Sequence, residues 1–192
     1  MEKVYYGSLK GDIKVLKSQL SIHGKNCITA VDNPVIALIL LGRGNGDLDV
    51  SKIYDNGMPI LVERRPGVLE KLYNKQGYIY ELQSDTFSHH DYLWRPEVTS
   101  YEKELIPLKK EYYENILKSL EQLSNDGLIK IYRYPNRPNY IPSDDSDLID
   151  RYIRLEKEGT VDAIVKLLTI HPELKERVLE KRNGTKVNIK RR

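Results

Sequence analysis

The chain has little of several things that narrow a protein's class. Among 192 residues there is one cysteine, Cys27. An internal disulfide is therefore excluded, and a reducing cytoplasm suits the composition. There is one Phe and one Trp, against fourteen Tyr. Such an aromatic set is amphipathic, with rings against protein and hydroxyls toward water. It reads as packing rather than as a stacking platform for bases. Excess charge of either sign is also missing, since 31 basic and 28 acidic side chains leave a net +3. That balance does not call for nucleic acid; only Lys186 to Arg192 is locally basic. No basic segment followed by an apolar run opens the chain, so no signal peptide is expected. The longest apolar run, Val35 to Leu41, has seven residues, far short of the ~20 that cross a bilayer as a helix.

What remains is ordinary globular composition, 40% hydrophobic and 31% charged, in an amount that suits one large domain or a domain with an appendage. Val4 to Tyr6 reads as a strand that stops at Gly7-Ser8. A loop over 9–25 follows, with one extended patch at Ile13 to Leu16, and then a second strand at Cys27 to Ala30. Cys27, in an apolar strand, reads as a buried structural thiol. Asp32 or Asn33 can cap the next helix, and Pro34 suits its first turn. Val35 to Leu41 is apolar all round and predicts a buried helix. The stretch Gly42-Arg43-Gly44-Asn45-Gly46 ends it. This is not a phosphate-binding loop, because it follows a helix and lacks the Gly-Lys-Ser/Thr ending.

Pro59 to Glu63 and Gly77 to Leu82 read as strands, with a helical turn at 67–72 between them. His89-His90-Asp91 resembles a metal cluster only superficially, since adjacent histidines diverge and no third ligand has zinc spacing. Glu97 to Pro107 reads as one extended segment, with Ser100, Glu102 and Glu104 on one face and Tyr101, Lys103 and Leu105 on the other. From Leu108 to Asn125 the spacing of Tyr113, Ile116, Leu117, Leu120 and Leu123 predicts a helix, stopped by Asp126-Gly127. Leu128 to Tyr132 reads as a strand. Three helices should follow from about residue 144. Their apolar stripes are Leu148, Ile149, Tyr152 and Leu155; then Val161, Ile164, Val165 and Leu168; then Leu174, Val178 and Leu179, closing near Asn183-Gly184.

Three pieces in this order resemble the small ADP-ribosyltransferases of the rifampin-modifying type. The opening strand ends Tyr5-Tyr6-Gly7-Ser8, where that family has Tyr-His-Gly-Ser/Thr. Ile28 to Ala37 matches its strand-to-helix step. Gly77 to Leu82, followed at a distance by Thr99 to Pro107, is similar to the edge strand that supplies an acidic residue after a serine. The resemblance covers a little over half the chain. It implies an α+β protein with a mixed, largely antiparallel split β-sheet over residues 1–108. Residues 109–192 would then be a helix, a strand and a helical C-terminal extension packed on that core.

The resemblance also implies chemistry with NAD as cofactor. Tyr6, Gly7 and Ser8 would hold ribose or diphosphate, Thr29 with Ala30 would hold the nicotinamide, and Glu102 or Glu104 would stabilise positive charge at the sugar carbon or orient the acceptor. Three positions depart from the family. Tyr6 replaces the histidine, Thr29 the stacking aromatic, and Val31 a threonine. Two readings stay open: transfer of ADP-ribose or cleavage of NAD, and a nucleotide-binding or protein-interaction module that keeps the fold without the activity. His23, in the first loop, could replace the missing histidine. Tyr80 and Tyr101 read as strand packing.

Overall fold

The computed structural model describes residues 3–21 and 24–189, with side chains as far as 183. His23 therefore lies outside the described residues, as do the side chains of the basic C-terminal stretch. The fold is α+β, with antiparallel pairing dominant. Strands β1 (Lys3–Ser8), β2 (Leu16–Lys17), β3 (Gln19–Leu20) and β4 (Asn26–Val31) come first, followed by helix α1 (Pro34–Ile39). Strands β5 (Val50–Asp55) and β6 (Met58–Glu63) precede helix α2 (Val68–Tyr73). Then come β7 (Gly77–Gln83), β8 (Glu97–Ser100), β9 (Glu104–Leu105), β10 (Lys109–Tyr113), helix α3 (Ile116–Asn125) and β11 (Lys130–Tyr132). Helices α4 (Ser146–Lys157), α5 (Ala163–Ile170) and α6 (Lys175–Ile189) close the chain.

A six-stranded sheet runs β10-β7-β1-β4-β3, with β8 also on β4. A second sheet of three strands is ordered β11-β6-β5, and β2 pairs with β9. The main sheet is split. β1 pairs with β7 along its whole length, but its pairing with β4 is confined to Tyr5 opposite Val31. Beyond that point Tyr6, Gly7 and Ser8 leave β4, and an opening begins.

Helix α1 forms where its cap predicts. The Asn33 side chain accepts from the N–H groups of Val35 and Ile36, and Pro34 occupies the first turn, where its missing N–H costs nothing. Five of its six residues, Val35 to Ile39, are buried, so the helix is a core element between the sheet, α2 and α3. It lies so close to β1 that a Cβ on Gly7 would stand 2.6 Å from the Ala37 carbonyl oxygen. The Tyr73 hydroxyl donates to the Ile39 carbonyl at 2.8 Å and closes the helix end.

Four expectations are corrected. Residues 109–113 are not the start of a helix but the edge strand β10, beyond the expected end of the β-rich part at 108; the helix begins at Ile116, capped by Asn115. The segment 97–107 is not one extended run. It breaks after Ser100, and Glu104–Leu105 pairs instead with Leu16–Lys17. Helix α5 starts later than its apolar pattern implies. The left-handed Asp162 (φ 62°) precedes it, so Ala163, Ile164 and Leu167 face inward, and Val161 and Val165 stand 82% and 62% exposed. Helix α6 also continues past Gly184 to Ile189.

The C-terminal helices build their own apolar cluster around Leu148, Tyr152, Leu167 and Val178, and Leu48 from the N-terminal part belongs to it. Buried His171 ties the two, its Nε2 lying 2.7 Å from the Leu48 carbonyl oxygen and its Nδ1 2.9 Å from Glu173. A second tie is ionic. Arg64, on the strand side, reaches Asp145 at 3.0 Å and Asp147 at 2.5 Å, and Arg137 reaches Asp145 at 2.5 Å. Among the described residues no helix is long and apolar enough to cross a membrane.

Candidate functional site

The opening between β1 and β4 is a cleft of about 780 Å³. Its first wall is the end of β1, with Tyr6, Gly7 and Ser8; its second is β4, with Cys27 and Thr29. Leu40, Leu41 and Arg43, at and just beyond the end of α1, line it too. The segment 9–21 supplies most of the rest of the lining. That segment is held down by Tyr80, whose hydroxyl donates to the Lys10 carbonyl at 2.8 Å and accepts from the Ile13 N–H at 3.3 Å. Lys110 donates to the Gly11 carbonyl at 2.7 Å and fixes the same turn from the next strand. Tyr80 thus serves packing, as read from the sequence, and also positions a wall of the cleft.

Of the residues expected to hold a cofactor, Tyr6, Gly7, Ser8 and Thr29 line this one cleft, whereas Ala30 is buried in the apolar cluster on the other face of β4. The four in the cleft come from separate segments, and the split of the sheet brings them together. The Ser8 hydroxyl accepts from the Lys10 N–H at 3.0 Å, which turns the chain sharply at the end of β1. The charge of the lining is one-sided. Lys10, Lys17 and Arg43 contribute to it, and no Asp or Glu does among the described residues. A concave surface with cations and low-dielectric aliphatic walls concentrates positive potential and favours an anionic ligand.

The two predicted catalytic carboxylates are placed elsewhere. Glu102 is exposed in the turn after β8, its N–H donating to the Ser100 hydroxyl at 3.3 Å. Glu104 is exposed on β9 and pairs with Lys17 at 3.2 Å. Neither lines the cleft. Lys17 does, so Glu104 meets the cleft only through its ion pair.

A smaller chamber of about 290 Å³ adjoins the cleft, and both are lined by Leu20, Ser21, Cys27 and Thr29. Its acidic residue is Glu97, at the start of β8, whose carboxylate accepts from the Trp94 N–H at 3.3 Å. Sequence reading missed Glu97 as a site candidate because the serine-to-acid spacing drew attention to Glu102 and Glu104. Strand alternation carried the signal: Glu97, Thr99 and Tyr101 fall on one face, with Val98 and Ser100 on the other. Tyr101 is half exposed and lines the chamber rather than packing in the sheet.

The histidine pair gathers no metal site. His89 lies 3.8 Å from Asp32, His90 stacks on Tyr92, and no three His, Cys, Asp or Glu side chains converge among the described residues. Burial pushes the Asp32 carboxyl upward, and the nearby His89 and Arg95 only partly offset this.

No family model matches this chain, and no curated protein or solved structure shows significant similarity to it.

Proposed function

We propose that the cleft binds a dinucleotide of the NAD type, and that the chain is a nucleotide-binding module on an ADP-ribosyltransferase-like framework. One observation carries this reading. Tyr6, Gly7, Ser8 and Thr29 line one cleft together with Lys10, Lys17 and Arg43, while Glu102 and Glu104 lie off it. The hydroxyls of Tyr6, Ser8 and Thr29 can each donate to or accept from ribose or an amide. The three cations suit a diphosphate, and the exposed aliphatic side chains of Leu9 and Leu20 suit the flat faces of bases. A volume of about 780 Å³ falls within the usual range of ligand pockets, roughly 300–1,000 Å³.

Transfer of ADP-ribose needs a carboxylate close to the ribose carbon that sheds nicotinamide, where it can stabilise developing positive charge. The cations of this cleft oppose that charge instead. Binding without transfer is therefore the better-supported function.

Calorimetric titration of the full chain with NAD tests the reading. Saturable binding is expected, weakened at least tenfold (about 1.4 kcal/mol) in the double variant Lys10→Glu, Arg43→Glu. Glu102→Gln should leave affinity unchanged, and Glu104→Gln should not weaken it, because it only frees Lys17 from its ion pair. A folded protein giving no heat with millimolar NAD would overturn the reading. Nicotinamide released into the mixture, followed by chromatography, would replace it with the transferase.

A further inference from the structure

We propose that the chamber beside the cleft is a second ligand site, for a small aromatic molecule bearing a hydroxyl or amino donor. Its floor is one face of the β4–β8 pair. Thr29 and Thr99 are directly opposed across these antiparallel strands, and Cys27, Glu97 and Tyr101 follow on the same face by alternation. The other face, with Ile28, Ala30 and Val98, is buried in a separate apolar cluster. The floor is therefore fixed by the core beneath it.

The observation that points to a ligand is the Thr99 hydroxyl. Thr99 is only 5% exposed, and its Oγ1 is buried without a hydrogen-bond partner. Both backbone groups of Thr99 are satisfied by Ser88, at 3.0 Å each, so the orphan is the side chain alone. A buried hydroxyl without a partner is costly, and native structures rarely tolerate one without a use for it. Val would fill the same space without that cost. Here the hydroxyl belongs to a residue that lines the chamber.

The walls define the ligand. Tyr92 and Tyr101 stand with their hydroxyls 3.4 Å apart, and His90 backs Tyr92 in a stacked arrangement, ring centroids 5.1 Å apart at 11°. Lys25 lies 5.8 Å from the centre of the Tyr101 ring. This is a wall for a planar ring. The chamber, at about 290 Å³, is too small for a dinucleotide but takes one or two rings. The Glu97 carboxylate is an acceptor and the Thr99 hydroxyl can be one, so the matching group on the ligand is a donor.

This site goes beyond the reading of the cleft and does not rest on it. Ligand-observed NMR and calorimetry on the full chain, without NAD, test it with three probes. These are p-cresol, 4-methylcyclohexanol and toluene. The cresol has both ring and donor, the cyclohexanol only the donor, and toluene only the ring. Saturable binding of p-cresol is expected, about tenfold tighter than either control. Thr99→Val should weaken p-cresol about tenfold without lowering Tm, because it removes the orphan hydroxyl; Thr99→Ser should retain binding. Lys10→Glu with Arg43→Glu, which impairs the cleft, should leave p-cresol affinity intact. The proposal is overturned if p-cresol binds no better than the controls, or if folded Thr99→Val and wild type bind it equally.

Discussion

Thr29 and Thr99 face each other across the β4–β8 pair, yet they differ in surroundings: Thr29 is exposed and borders both openings, while Thr99 is buried with its hydroxyl unmatched. β4 is thus the shared wall of two sites. Its outer side chains at 27 and 29 face ligand space, and its inner ones at 28 and 30 hold the core.

Gly7 sets how near α1 comes to the cleft. In Gly7→Ala the new Cβ would meet the Ala37 carbonyl oxygen at 2.6 Å and Leu41 side-chain carbons at 3.2 Å and beyond. Backbone cannot swing away as a side-chain end can, so β1 and α1 must separate. Chemical denaturation should show a loss of about 1–3 kcal/mol, the usual cost of overpacking. NAD affinity should fall with it, because Leu41 lines the same cleft.

Asp145 is the hinge of the ionic tie. It neutralises two nearly buried guanidinium groups, Arg64 and Arg137, whose side chains are 3% and 5% exposed. In Asp145→Ala, Arg64 keeps Asp147, but Arg137 keeps only the Pro142 carbonyl as an acceptor. Breaking a buried ion pair from one side costs about 3–5 kcal/mol. Urea denaturation should show a loss of that order, and Asp145→Asn, which retains an acceptor, should lose less.

Asp49 should make the fold acid-sensitive. Burial alone pushes its carboxyl upward, but the Asn45 N–H and the Arg65 guanidinium outweigh it and hold the pKa below its ordinary value. A carboxylate depressed in the folded state stabilises above the unfolded value, about 3.9. That contribution is lost as pH falls through the folded value. In Asp49→Asn, denaturation between pH 2 and 7 should give a flatter decline of stability below about pH 4 than in wild type.

His171 should hold the C-terminal helices to the rest. Its Nε2 contact to the Leu48 carbonyl spans 123 positions in sequence. In His171→Ala that carbonyl loses its imidazole partner and a cavity opens beside Leu174, a loss of about 1–3 kcal/mol. Hydrogen exchange should show α4 to α6 opening more readily, with β1, β7 and α1 little changed.

Parts of this architecture are legible in the sequence alone. The Asn33-Pro34 cap and the continuous apolar run located α1 because capping and burial are local properties. The resemblance to the ADP-ribosyltransferase motifs points to Tyr6-Gly7-Ser8 and Thr29, and they line one cleft. Strand β5 has no signature of its own in the sequence. Its residues Val50 to Asp55 do not alternate, but Asn56-Gly57 behind them carried a signal: φ values of 48° and 82° make the tight turn to β6.

By itself the sequence determined the composition-level facts and the local ones: no internal disulfide, the capped buried helix, the glycine ending of β1, the helical character of the C-terminal third. Pairing between distant segments decided the rest. Residues 109–113 become a strand because the edge of β7 is open to them, against a pattern that reads as helix. Glu97 joins the chamber while Glu102 and Glu104 leave the cleft, because the chain turns after Ser100 and takes a new partner. Such choices depend on strand register and on which edge is free. Those are contacts between residues far apart in the chain, and periodicity within one segment does not encode them.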